Sequence, residues 1–397
     1  MPKHAVFTVS KYFTALPLRA WRFRLFIYFD CPSFNGRLLP DKPVRGASRI
    51  DRTPNVRYEM QNHKPILMLV LSCCCFQFSA ADEPGKNVRV GIIGLDTSHV
   101  TAFTKLLNAD NPKPEFAHCR VVAAYPQGSA DIESSVSRVP KYTEQIKEMG
   151  VTIVDSIEEL VGQVDVVLLE SNDGRVHLEQ ILPALKAGKR TFVDKPMAAS
   201  LVDVIAIFEA AQLFGTPVFS SSSLRYGQGT LAAVRGEIGD VVGCDTRCSC
   251  SLEPTHPDFF WYGIHGVESL FAVMGTGCQQ VVRMHSAGSD MAVGMWEGGR
   301  IGSYRGIRDG KPEYSGTAIG TEKILPVGQY DGYAPLVVEI VKFFKGGDVP
   351  VSEAETIEIF AFMEAADESK RQGGVPIAIG PLIDAAREEA AKKATWK

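Results

Sequence analysis

The sequence predicts an α/β chain, with a doubly wound parallel sheet in its first half. A C-terminal α+β domain with a mainly antiparallel, open sheet follows. Three observations predict this. Between Val88 and Gly215, short apolar runs alternate with helical patterns, the grammar of a parallel sheet wrapped by helices. Past Pro217 the runs read as strands separated by Gly-rich or polar turns. With 397 residues and 45% apolar content, the chain is long enough for two ordinary cores.

The elements follow in order. Residues 88–94 form a first buried strand, and Val100, Phe103, Leu106 and Leu107 recur at helix spacing behind it. Residues 120–125, 151–154 and 164–169 read as further strands, with a helical pattern at 157–161. A helix over 177–186 is interrupted by Pro183 and stopped by Gly188. Residues 191–193 make the next strand. Ser200 with Asp203 caps a helix whose Val204, Ile205, Phe208 and Ala211 face inward until Gly215. In the second domain, strands are expected at 241–250, 281–285, 292–296, 301–306, 315–319 and 322–326. A helix at 264–274 interrupts them, helices at 334–345 and 354–372 close the domain, and 381–397 is a charged surface helix. The sheet's open face is expected to turn toward the first domain. The domains are thus 86–216 and 217–380.

A strand, a tight turn and a helix N-terminus facing an anion are how a Rossmann-type dinucleotide-binding domain begins. The G-x-G-x-x-G signature holds Gly94 at its first position, Asp96 at its second and His99 at its third. Asp is a favoured N-cap residue, so Asp96 is placed to bond the N–H groups that receive a pyrophosphate. Thr97 and Ser98 offer hydroxyls, and His99 offers a positive charge when protonated. The other reading is a loop that only caps its helix. Tyr125 ends the second strand and is placed to stack on adenine, with no acid for a ribose until Asp131. Ser171 and Asn172 follow the strand at 164–169, where open parallel sheets present ligand contacts. These residues, with Asp194 and Pro196, are the candidate contacts for NAD or NADP.

Two residues suit proton transfer. Lys195 ends a parallel strand, and Pro196 biases it away from helical dihedrals and into the crevice. The other reading of Lys195 is a surface pair with Asp194. His265 starts a helix behind the aromatic Trp261 and Tyr262. Arg225, Tyr226, His256, Asp258, Trp261 and Tyr262 are the polar and aromatic candidates for a substrate pocket. Beyond residue 81 stand Cys119, Cys244, Cys248, Cys250 and Cys278, an odd number that gives no disulfide framework. No His or Cys partner has zinc-site spacing, so buried thiols and no metal are expected.

The first 81 residues differ from the rest. They carry 12 Lys+Arg against 4 Asp+Glu, whereas the remainder holds 30 against 42. Nothing in the body suggests nucleic acid. From Met60, Asn62-His63-Lys64 precedes an apolar run and Ser79-Ala80-Ala81, the pattern of a signal peptide too short for a stable membrane span. Residues 60–81 then form the signal, residues 1–59 a non-native or disordered extension, and the mature protein is exported. The alternative is an apolar extension on a cytoplasmic enzyme.

Val90-Gly91-Ile92-Ile93-Gly94, Ala187-Gly188-Lys189, Asp194-Lys195-Pro196, Gly236-Glu237-Ile238-Gly239 and Gly263-x-His265 occur in that order. Together they make the body, from Val88 to about Ile379, resemble the Gfo/Idh/MocA oxidoreductases. The resemblance implies an N-terminal dinucleotide-binding domain and a C-terminal open sheet that assembles homo-oligomers. It implies NAD(P)-dependent hydride transfer at a secondary alcohol or ketone of a sugar-like or cyclitol substrate, with Lys195 and His265 as the active-site pair. The chain departs from the family by Asp for Glu before Lys195, by Trp261 where an Asp precedes the histidine, and by its two lost loop glycines. These departures frame the alternative, an exported carbohydrate-binding protein without redox chemistry.

Overall fold

The computed structural model describes residues 87–394 and 396. The expected extension at 1–59 and signal peptide at 60–81 lie outside the described residues. Six strands, β1 (Val88–Ile93), β2 (Cys119–Tyr125), β3 (Thr152–Ile153), β4 (Val166–Leu169), β5 (Thr191–Val193) and β6 (Val218–Ser220), form a parallel sheet. Their order is β3-β2-β1-β4-β5-β6, so the winding reverses between β1 and β4 and leaves a crevice above their carboxyl ends.

Alternate residues of these strands serve two cores, one per face. Ile93, Val167, Leu169 and Val193 pack with α3 (Ile157–Gln163), α4 (His177–Lys186) and α5 (Leu201–Leu213). Ile92, Val121, Leu168 and Phe192 pack with α1 (Ser98–Leu107) and with α8 (Ala334–Phe344), which returns from the end of the chain to cover this face. That return differs from the expectation that α8 closes the second domain. Side-chain caps fix several starts: Ser156 accepts from the Glu159 N–H, and Ser200 from that of Asp203.

Three elements of this half escape the sequence reading. α2 (Glu133–Glu148) buries only Ser135 and Ile146, so it shows no apolar stripe. β6 lies past Pro217, which puts the change of architecture after Ser220. α6 (Gln228–Val234) is too short to show a period.

The second sheet holds β7 (Val241–Ser249), β8 (Cys278–Ser286), β9 (Ser289–Trp296), β10 (Ile301–Ile307), β11 (Ser315–Gly320), β12 (Ile324–Val327) and β13 (Ile377–Ala378). Their order is β12-β11-β7-β10-β9-β8-β13, antiparallel except where β7 meets β10. α7 (Ile264–Met274) packs on β7 and β10, and α9 (Glu353–Arg371) lies between β8 and α5. The helix-covered face is therefore the one turned toward the first sheet, and the open face points away, contrary to expectation. The closing helix α10 (Ile379–Lys393) packs on α5 and α9, burying Ile379, Ala386 and Ala390 rather than lying free on the surface. Cys244, Cys248 and Cys250 are buried thiols, and burial pushes that of Cys248 up to about 12. No helix among the described residues is long and apolar enough to cross a membrane.

Candidate active site

A cavity of about 170 Å³ opens where the carboxyl ends of β1, β4 and β5 meet the start of α7. Its walls include Thr97, Ser98 and His99 from the head of α1, Asn172 after β4, and Lys195 and Pro196 after β5. Trp261, Tyr262 and His265 approach from the second domain. Nine sequence candidates are thus brought to one space.

The turn after β1 explains how. Gly94 has φ +86°, and a Cβ there would fall 2.2 Å from the Ser171 Oγ, so only glycine lets the two loops touch. Asp96 does not cap α1, as the sequence suggested. Its carboxylate is fully buried and turned away, accepting the Asn172 N–H at 2.9 Å and the Ser135 hydroxyl at 2.6 Å. Burial pushes this carboxyl up to about 6 against those two hydrogen bonds. The N-cap is Thr97, whose hydroxyl makes no cap bond. The α1 N-terminus is consequently left to the cavity.

Below the cavity floor lies Asp194, fully buried. Its Oδ1 accepts the Lys195 backbone N–H at 2.8 Å, and its Oδ2 bonds His99 Nδ1 at 2.8 Å. The Lys195 Nζ stands 3.9 Å from that same Oδ2. Burial alone drives Asp194 upward, but His99 and Lys195 override it and hold the carboxyl well below the usual range. Glu170 at the end of β4 is fully buried, and neither carboxyl oxygen has a hydrogen-bond partner among the described residues. Burial and then Asp194 raise it well above the carboxylate range, with Lys195 opposing.

On the opposite wall, His265 Nδ1 sits 2.8 Å from Ser222 Oγ. Burial, then Lys195 and His99, press its pKa well below 6.5, so the ring is neutral. A lysine and a neutral imidazole thus share one polar cavity walled by aromatic rings. This set can hold a hydroxyl and exchange its proton.

Several candidates lie elsewhere. Tyr125 lines a separate crevice of about 230 Å³ with Gln127, Glu158, Glu179 and Gln180. Ser171 donates its hydroxyl to Gln180 instead of the cavity. Arg225 is committed to Glu268 at 2.9 Å and Glu355 at 2.7 Å. Tyr226 is buried in the core under α8. His256 packs against Trp261 and stands 3.3 Å from Asp173, supporting the wall from behind. Asp258 pairs with Arg283 and Lys370, outside the cavity. The sequence reading missed Arg138, which sits on the unread α2, and Tyr314, Tyr330 and Tyr333, which line the cavity from the segments before α8. Among the described residues no three His, Cys, Asp or Glu side chains gather to hold a metal.

The fold agrees with a comparison to known families. Residues 88–220 match the model described as "Oxidoreductase family, NAD-binding Rossmann fold". Through these residues the chain is similar to the Gfo/Idh/MocA oxidoreductases. The 1,5-anhydro-D-fructose reductase of Ensifer adhaerens is 36% identical over 106 residues, covering 25% of this chain and 32% of that one. Inositol 2-dehydrogenase 3 of Saccharopolyspora erythraea is 27% identical over 143 residues, covering 35% and 37%. The chain therefore matches only about a third of the length of these curated relatives. A solved scyllo-inositol dehydrogenase from Lactobacillus casei, with bound NAD(H) and scyllo-inositol, covers 74% of this chain and 99% of its own, with TM-score 0.59. At 15% identity that likeness is one of fold.

Among the described residues, the chain has polar groups without partners beside this cavity. Thr97 Oγ1 and Asn172 Oδ1 are buried beside the α1 N-terminus with no hydrogen-bond partner among the described residues. Arg138 adds a cation on the same wall. Buried polar atoms left unpaired at a helix N-terminus suit a phosphate and a ribose.

Proposed function

We propose that this protein is an NAD(P)-dependent oxidoreductase acting on a secondary alcohol or ketone of a sugar-like or cyclitol substrate. The observation that carries the reading is the pairing of Lys195 and His265 across one cavity, beside the open N-terminus of α1. Thr97, Ser98, Asn172 and Arg138 would hold the phosphates and the adjoining ribose, and Pro196 would pack on the ring. The crevice at Tyr125 and Gln180 would take the adenosine end. Bound nicotinamide supplies the hydride acceptor or donor.

The chain's own residues do the rest. Lys195 Nζ gives a proton to a carbonyl oxygen in reduction, or takes one from a hydroxyl in oxidation. Neutral His265, fixed by Ser222, orients that oxygen by a single hydrogen bond. The Trp261, Tyr262 and Tyr330 rings offer the apolar faces of a polyol ring their contact and narrow the space for water. The open outer face of the second sheet is the proposed surface for self-assembly.

The test is titration of the purified protein with NAD and NADH, followed by inositols, anhydro-sugars and simple aldoses with nicotinamide absorbance as the readout. Binding and reduction of cofactor by at least one polyol are expected. No binding at millimolar cofactor would overturn the reading.

A further inference from the structure

We propose that His99 is a positioning residue for the Lys195 amine, acting through the one Asp194 oxygen that both groups share. This rests on Lys195 being the acid–base group. His99 stands at the place of a loop glycine, and as a loop residue it would be expected to touch only a phosphate. The geometry gives it a second task. Its Nδ1 bonds Asp194 Oδ2 at 2.8 Å, the oxygen that lies 3.9 Å from Lys195 Nζ. The other carboxylate oxygen is held by the Lys195 backbone N–H, which fixes the rotation of the group.

The imidazole is itself fixed. Its ring stacks on Phe103 with centroids 5.2 Å apart and meets the edge of Tyr333 at 4.6 Å. Swinging Nδ1 away would strip a fully buried carboxylate of a charge-assisted hydrogen bond. His99, Asp194 and Lys195 therefore move together or not at all.

The effect on the amine follows from charge. While His99 donates to Asp194, part of the carboxylate's charge is spent on the imidazole. Removing that N–H leaves the charge to Lys195, which then holds its proton more firmly. Every other titratable neighbour stays in place. Glu170 faces the pair from β4, Asp96 from the turn after β1, and His177 from α4. His265 faces it from α7, while Arg138 and Tyr333 line the same cavity.

The experiment reads the amine directly and needs no known substrate. Lys195 is labelled with trinitrobenzenesulfonate, which attacks only the neutral amine, and the rate at its own peptide is followed against pH. His99→Phe keeps the stacking and removes the donor, whereas His99→Gln restores a donor. The labelling midpoint is expected to rise by about half to one pH unit in His99→Phe and to return toward wild type in His99→Gln. NADH affinity is measured by fluorescence on the same proteins, so that a loss of cofactor contact is read apart from the labelling midpoint.

A midpoint unmoved in His99→Phe overturns the proposal. An unmoved midpoint with NADH weakened about tenfold makes His99 a phosphate contact alone. If His99→Phe melts before titration, His99→Asn carries the same test, because its side chain stops short of Asp194. Failure of the wild type to bind NADH sinks the dehydrogenase reading and leaves the labelling result to decide this one.

Discussion

Lys195 and His265 divide the work of the cavity by their electrostatics. With only 14% of its side chain exposed, Lys195 lines the cavity, and in the proposed reaction it is the proton donor. Lys195→Ala is expected to lower kcat by about a thousandfold while NADH affinity stays within about threefold, checked by steady-state kinetics and fluorescence titration. His265 is held neutral by burial and by its cationic neighbours, so it adds no ionisation near its usual value. The pH profile of kcat/KM is expected to show no protonic step near pH 6.5, and a His265→Asn profile of unchanged shape but lower height would agree. At this scale the sequence was legible where a motif fixed backbone, as at Gly94 and Lys195-Pro196. It was not legible where chemistry depends on non-local pairing. Arg225 reads as a substrate ligand until Glu268 and Glu355 are seen to neutralise it, and Glu170 reads as a strand end until its burial is seen.

Among elements, the loop after β1 carries a pH dependence. Asp96 has its carboxyl raised to about 6 in the folded protein, chiefly by burial, against an unfolded value of 3.8. The folded state therefore binds the extra proton between these values. The contribution is fully present below about pH 4 and is lost as pH rises through about 6, on the order of 3 kcal/mol in all. Asp96→Asn is expected to flatten the melting temperature between pH 4 and pH 6.5 relative to wild type; equal slopes would refute this. The crevice beside β2 bears on cofactor choice. Glu158 and Glu179 line it, with no Lys or Arg among its lining residues, which disfavours a 2′-phosphate. NADH is expected to bind at least about tenfold more tightly than NADPH, and a Glu179→Lys variant to narrow the gap, as read by parallel fluorescence titrations. Elements with a strong period, such as α7 and the buried strands, were legible almost to the residue. α2 was lost because its buried face is nearly polar, and Glu158 and Glu179 of the crevice were lost because α3 and α4 supply them, not the end of β2.

For the molecule as a whole, alternating apolar runs announce the first sheet, and a change of grammar announces the second. Which way the second sheet faces is a different matter, since it depends on α9 wedging between β8 and α5. That wedge leaves the other face bare, and the face mixes apolar side chains with Asp245, Arg247 and Arg305. Met284, Met291, Val293, Met295, Ile301 and Ile324 share it through the register of β8, β9, β10, β11 and β12. Met284 is 74% exposed, Ile324 64% and Ile301 54%. A flat face of this kind can mate with its own copy about a twofold axis, so that each residue meets the same patch on the partner. Met295 and Ile301 lie opposite one another in adjacent strands, where β9 ends and β10 begins. A charge there would be buried twice over in such a pairing, once from each copy. Light scattering is expected to give a dimer or larger for the wild type and a monomer for Ile301→Lys with Met295→Glu. The melting temperature of the variant monomer should fall only slightly, because neither side chain belongs to the core under α7 and α9. A wild type that stays monomeric at tens of micromolar would show that this face serves another partner or none.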